Sequence, residues 1–203
     1  MNNILNYKSE GYKQFKIYEY RIDNVNLTWV KQVIKLLKIF KIKKINDIGC
    51  NYFQFYKGLK IKKEYNYFGY DIEEKYIKLG LLKFPELSKN YQVGDITKIS
   101  LRKCDCSIAS AIVEHVKQPY KLIEKICKSS KRIVVIRTYL GIKDEIIIKK
   151  NSENPYYFNQ LSQHKITKTF KSLGFHSMII LDEATNFSNT FKIINQFTKE
   201  KCI

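Results

Sequence analysis

Lys44-Ile45-Asn46-Asp47-Ile48-Gly49-Cys50-Asn51 is followed by Tyr67-Phe68-Gly69-Tyr70-Asp71 and then by Val93-Gly94-Asp95-Ile96. An apolar run that stops at Asp-x-Gly reads as a buried strand turning toward a helix. The second run puts Asp71 at a strand tip 24 residues after Asp47. Three acids thus fall at three strand ends, a layout suited to a nucleoside-containing ligand.

Outward from these runs the pattern alternates. It predicts strands at 44–48, 66–70, 90–94, 104–110 and 131–138, with helices at about 52–60, 72–83 and 118–129 between them. Ile133 to Ile136 and Cys106 to Val113 are near-continuous apolar runs, as expected of strands covered on both faces. The implied fold is α/β, a mostly parallel, doubly wound sheet. Before it, Val25, Trp29, Val33, Leu36, Leu37 and Phe40 recur at helical spacing, with Asp23 or Asn24 as the cap. Beyond it, a helix at 161–173 stops at Gly174. The runs 175–181 and 190–197 lie close enough for an antiparallel pair.

The 203 residues suit one well-buried domain. It divides into an N-terminal arm (1–23), a ligand-binding core (24–141) and a substrate-side half (142–203). The arm interleaves Tyr7, Tyr12, Phe15, Tyr18 and Tyr20 with Lys8, Lys13 and Lys16.

Net charge is +18, from 37 basic and 19 acidic residues. Such an excess fits a nucleic-acid or anionic partner, yet lysine greatly outnumbers arginine and the lysines are scattered, as codon bias alone would produce. The five cysteines, Cys50, Cys104, Cys106, Cys127 and Cys202, lack the paired spacing of a zinc site and read as reduced thiols. His164 and His176 form no ligand pattern with Glu114 and His115, so no metal is expected. With no signal-peptide pattern and no bilayer-length apolar run, the expected compartment is the cytoplasm.

Ligands of an open parallel sheet bind outside the carboxyl ends of the strands, where the strand order reverses. Gly49 would let the backbone approach a ligand closely, and Asp71 suits a bidentate grip on two ribose hydroxyls. Asp95 would accept from an exocyclic amine while Ile96 packs on a purine face. Each acid also has a plainer use, as a helix cap or turn closer.

The order of these motifs resembles the class I S-adenosylmethionine-dependent methyltransferases over about residues 43–140. The most specific part is Asp105 to Val116, an apolar strand leading to Glu114-His115-Val116 and then Pro119. It is similar to small-molecule methyltransferases that act on quinone and sugar oxygens. The resemblance implies a Rossmann-like seven-stranded sheet with an antiparallel C-terminal strand and an N-terminal helical and aromatic arm. It implies S-adenosyl-L-methionine as cofactor, held by Asp47, Gly49, Cys50, Asn51, Asp71, Ile72, Asp95, Ile96 and Ser110. The acceptor would be a small hydroxylated molecule, with RNA or DNA, or a non-catalytic binding role, as alternatives.

His115 would take a proton from the acceptor hydroxyl, and Glu114 would organise the loop or assist. Residues 154–160, with their aromatic and amide side chains, would line the substrate pocket or pack as a loop. Two positions depart from the family pattern: Asn51 and Phe53 stand where glycine is usual. Phe53 either narrows the methionine-binding slot or turns into the core from the first helix.

Overall fold

A computed structural model describes residues 28–59, 62–149, 156–180 and 200–202. The first described helix, α1 (Thr28–Ile39), is amphipathic. It buries Trp29, Val30, Val33 and Leu37, which recur every three or four residues on one face. Full burial of aliphatic side chains such as Val33 and Leu37 stabilises the fold by about 1.5–3 kcal/mol each.

The elements that follow are β1 (Lys44–Ile48), α2 (Gln54–Gly58), β2 (Asn66–Asp71), α3 (Glu74–Lys83), β3 (Tyr91–Val93), β4 (Cys104–Ser110), α4 (Pro119–Ser129) and β5 (Ser130–Gly141). The chain continues through β6 (Ile148–Lys149), β7 (Tyr156–Tyr157), β8 (Leu161–Ser162), α5 (Gln163–Ser172) and β9 (Glu200–Cys202). Strands β3, β2, β1, β4 and β5 lie side by side in that order, all parallel. The far end of β5 pairs with β8 in parallel and with β9 antiparallel, completing a seven-stranded sheet.

The order reverses between β1 and β4, so a crevice opens at their carboxyl ends. Helices α1, α2 and α3 cover one face, where Trp29, Val33, Phe55 and Ile77 join Ile45, Tyr67 and Ile108. Helices α4 and α5 cover the other, where Leu122, Ile126 and Ile166 join Ile48, Ala109 and Ile136. The mostly parallel, doubly wound sheet with an antiparallel C-terminal strand is as the sequence implies.

One element assignment needs correction: residues 175–180 form no strand, and the antiparallel strand described against β5 is Glu200–Cys202. The run at 190–197, the aromatic arm and the Asp23/Asn24 cap lie outside the described residues. The short hairpin β6–β7 was not anticipated, because two-residue strands leave no periodic signature.

Candidate active site at the carboxyl ends of the strands

The loop leaving β1 has a backbone that alternates into the left-handed region. Gly49, Asn51 and Phe53 have φ of 75°, 51° and 62°. Glycine adopts this conformation freely, whereas other residues lose about 1–2 kcal/mol there. The loop therefore keeps a glycine-type path through two residues that are not glycine.

Strand β2 fastens this path. The Tyr70 carbonyl accepts from Gly49 N at 2.8 Å and Cys50 N at 3.0 Å, and Asp71 Oδ2 accepts from Asn51 N at 2.7 Å. Asn51 Oδ1 accepts from Tyr52 N at 2.9 Å, the local bond that lets asparagine tolerate such geometry.

Phe53 turns into the core. Its side chain is 0% exposed and meets Tyr67 edge-on at 6.2 Å. Two glycines make the room. A Cβ on Gly69 would lie 2.9 Å from Phe53 Cε1, and one on Gly80 would lie 2.6 Å from Phe53 Cδ2. A ring displaced from the loop surface in this way does not narrow a slot above it.

Asp71 joins all three strand ends. Its Oδ1 accepts from Glu73 N at 2.9 Å, and its carbonyl accepts from Gly94 N at 2.8 Å. Burial raises the pKa of its carboxyl above the usual carboxylate value, against the lowering effect of the bonds from Glu73 and Asn51. Each carboxylate oxygen takes one backbone N–H and keeps acceptor capacity for a further donor. Beside it, Ile72 is 63% exposed, an apolar surface next to a half-buried acceptor. That pairing fits a nucleoside, which offers ribose hydroxyls and a flat apolar base.

Asp95 is engaged by its own turn. Oδ1 accepts from Thr97 N at 2.9 Å and Thr97 Oγ1 at 2.7 Å, while Oδ2 lies 3.3 Å from Lys98 Nζ. The Thr97 bonds hold its carboxyl below the usual pKa. Ile96 is 9% exposed and packs with Ile48 and Tyr70 in the core.

Asp47 also points inward. It is 4% exposed, and its Oδ2 accepts from Tyr67 Oη at 2.5 Å. Burial pushes its pKa up to about 7, with Tyr67 pulling the other way. Cys50 is buried behind the loop, and burial raises its thiol well above the ordinary value. Both residues support the loop from behind.

The exit of β4 closes the site from the other side. Ser110 Oγ accepts from Arg137 Nη1 at 3.3 Å, and Ala111, at φ 58°, donates its N–H to the Arg137 carbonyl at 2.8 Å. The side chain of Ile112 then lies against Gly49, where a Cβ would sit 2.1 Å from Ile112 Cδ1. A short 3₁₀ turn, Val113–His115, follows.

Glu114 is 0% exposed and accepts from Thr138 Oγ1 at 2.9 Å, tying this turn to β5. His115 is exposed, and its Nδ1 lies 2.8 Å from the Tyr157 carbonyl. A carbonyl only accepts, so Nδ1 carries a proton, and the tautomer this contact selects has its lone pair at Nε2. Tyr156 and Phe158 pack against the imidazole at 5.8 and 5.9 Å between ring centroids.

Sequence reasoning missed Ile112, Ala111 and Arg137. The fit of Ile112 against Gly49 is a contact across two loops and leaves no pattern in either. Arg137, 8% exposed with its guanidinium over the Trp29 ring, sits in a run that reads only as buried strand. Among the described residues no group of three or more His, Cys, Asp or Glu could hold a metal ion, and no helix is long and apolar enough to cross a membrane.

Comparison with known proteins follows the same lines. Residues 46–133 match the family model described as a methyltransferase domain. Comparison with curated proteins gives no match. Among solved structures, the chain is similar to magnesium protoporphyrin IX methyltransferase (ChlM) from Synechocystis PCC 6803 with bound SAH, at 15% identity and a TM-score of 0.63, covering 88% of this chain and 91% of that one. It is similar to an S-adenosylmethionine-dependent methyltransferase from Clostridium acetobutylicum ATCC 824, at 12% identity and a TM-score of 0.57, covering 80% and 87%. The O-methyltransferase of a trans-AT PKS multienzyme of Brevibacillus brevis is similar at 15% identity and a TM-score of 0.54, covering 71% of this chain and 49% of that one. The chain thus has the fold of these S-adenosylmethionine-dependent methyltransferases, and its residues 46–133 match the model of a methyltransferase domain.

Proposed function

We propose that this chain transfers a methyl group from S-adenosylmethionine to an oxygen of a small hydroxylated molecule, such as a sugar or glycan precursor. The observation that carries the reading is the β1 loop. It keeps a left-handed path at Gly49, Asn51 and Phe53, and it is fastened to Asp71. Holding a strained backbone at two non-glycine positions makes sense where that path holds a ligand.

S-adenosylmethionine, when bound, supplies a methyl group on a sulfonium, ready for displacement. Asp71 would hold the ribose hydroxyls and Ile72 would cover the base. The Gly49–Asn51 backbone would face the amino-acid part, with Asp47 and Cys50 supporting that loop from the core side. Asp95 and Ile96 would shape the adenine end through the turn they stabilise, and Ser110 would line the exit of β4. His115 Nε2 takes the acceptor's hydroxyl proton as that oxygen attacks. Most of the rate enhancement comes from holding acceptor and methyl in line, to which deprotonation adds about 10²–10⁴-fold.

The similar solved structures that support the reading include, by their names, a magnesium protoporphyrin IX methyltransferase and the O-methyltransferase of a trans-AT PKS multienzyme. The test is transfer of isotope-labelled methyl from S-adenosylmethionine to a panel of sugars, sugar nucleotides and phenols, with total RNA alongside. Label should appear in a hydroxylated small molecule. Label in RNA alone would overturn the reading.

A further inference from the structure

The segment Tyr157–Asn159, which runs out of β7, places three consecutive residues around His115. The Tyr157 carbonyl accepts from His115 Nδ1 at 2.8 Å. Asn159 N donates to the Glu114 carbonyl at 2.8 Å, and Asn159 Nδ2 donates to the Val116 carbonyl at 2.8 Å. One side chain and its own backbone therefore grip the residues on either side of the imidazole. Asn159 is 1% exposed, whereas His115 is exposed.

This arrangement has chemical content beyond packing. A neutral imidazole free in water favours the proton on Nε2, which would leave no lone pair there for a hydroxyl proton. The bond to Tyr157 selects the other tautomer, and that bond exists only while the 113–116 turn lies in register with residues 157–159. We infer that Asn159 is a positioning residue. By fixing the turn at Glu114 and Val116 it keeps the His115 Nδ1–H on the Tyr157 carbonyl and the lone pair on Nε2. The inference rests on the reading of His115 as the proton acceptor, but its structural part stands separately.

The experiment is long-range proton–nitrogen correlation of the histidine side chains in the full chain, with ¹⁵N label. Only His115, His164 and His176 contribute, and His115→Gln assigns the signal. In the unaltered chain His115 should show a protonated Nδ1 and an unprotonated Nε2. In Asn159→Ala and Asn159→Ser its population should move toward the Nε2–H form, while the other two histidines stay unchanged. S-adenosylhomocysteine affinity should stay within about twofold, because neither variant alters a cofactor contact.

An Nε2–H tautomer in the unaltered chain overturns the geometry, and an unmoved His115 in folded variants overturns the role of Asn159. Failure of both variants to fold counts against it too, since a residue that serves one exposed imidazole leaves the fold standing. If S-adenosylhomocysteine does not bind the unaltered chain, the proposed function falls while the tautomer result remains readable.

Discussion

Asp47 shows how one residue at the site is tuned by where its side chain goes. Buried against Tyr67, its carboxyl has a pKa of about 7, against 3.8 unperturbed. A raised carboxyl pKa means that the neutral form suits the folded state. Its contribution is whole below the unfolded value near 4, declines as pH rises, and is lost above about 7. Asp47→Asn keeps an acceptor for the Tyr67 hydroxyl and removes the charge. Denaturant melts should show the variant more stable by about 1–3 kcal/mol at pH 8, with the gain shrinking to nothing near pH 4. An equal difference at both pH values would mean that Asp47 is not buried as described.

Gly49 is the second residue that decides something. Alanine there must hold φ near 75° and bring a Cβ to within 2.1 Å of Ile112 Cδ1. Gly49→Ala should lower stability by about 2–4 kcal/mol, from the backbone term plus overpacking. Adding Ile112→Ala should recover part of that loss, and thermal melts of the single and double variants measure the coupling. Strict additivity would place the two side chains apart.

At the scale of elements, the β1 loop, β2 and α3 form one unit around Phe53. The ring fills space left by Gly69 and Gly80, and its own backbone sits in the left-handed region. Phe53→Ala should cost about 3–5 kcal/mol for the emptied core site. Phe53→Gly leaves nearly the same cavity but relieves the backbone. It should therefore be more stable than Phe53→Ala by about 1 kcal/mol, the reverse of the order at an ordinary position. Chemical denaturation of both variants checks the order.

This unit marks where the sequence could be read and where it could not. Strands 44–48 and 104–110 were legible to the residue, because buried parallel strands are continuous apolar runs. Helix α2 was expected over about 52–60 and spans Gln54–Gly58, since the left-handed Asn51 and Phe53 delay its start. The direction of the Phe53 ring was open in the sequence. It depends on two glycines 16 and 27 residues away, neither of which signals its partner. The place of Asp71 at the end of β2, facing the β1 loop, was legible in the sequence. The inward turn of Asp47 and the Asx-type turn of Asp95 were not, because cap, turn and ligand contact use the same residue type in the same place.

For the molecule as a whole, strand order is what gathers the parts. Reversal between β1 and β4 brings Gly49 against Ile112 and puts the Asp71 end of β2 beside the same crevice. A ligand held there binds a crevice that only the folded chain assembles, so it should stabilise the entire fold. At a hundredfold excess over its dissociation constant the expected gain is about 2.7 kcal/mol. The scattered lysines behind the +18 charge belong to the same scale, and they predict that cofactor binding changes little between low and moderate salt. The most direct test of the cradle is calorimetric titration of S-adenosylhomocysteine into the full chain and into Asp71→Ala. The account predicts saturable one-to-one binding to the unaltered chain, weakened at least about tenfold by Asp71→Ala, the loss expected when two hydroxyls lose a charged acceptor. No binding to the unaltered chain, or equal binding to both, would contradict it.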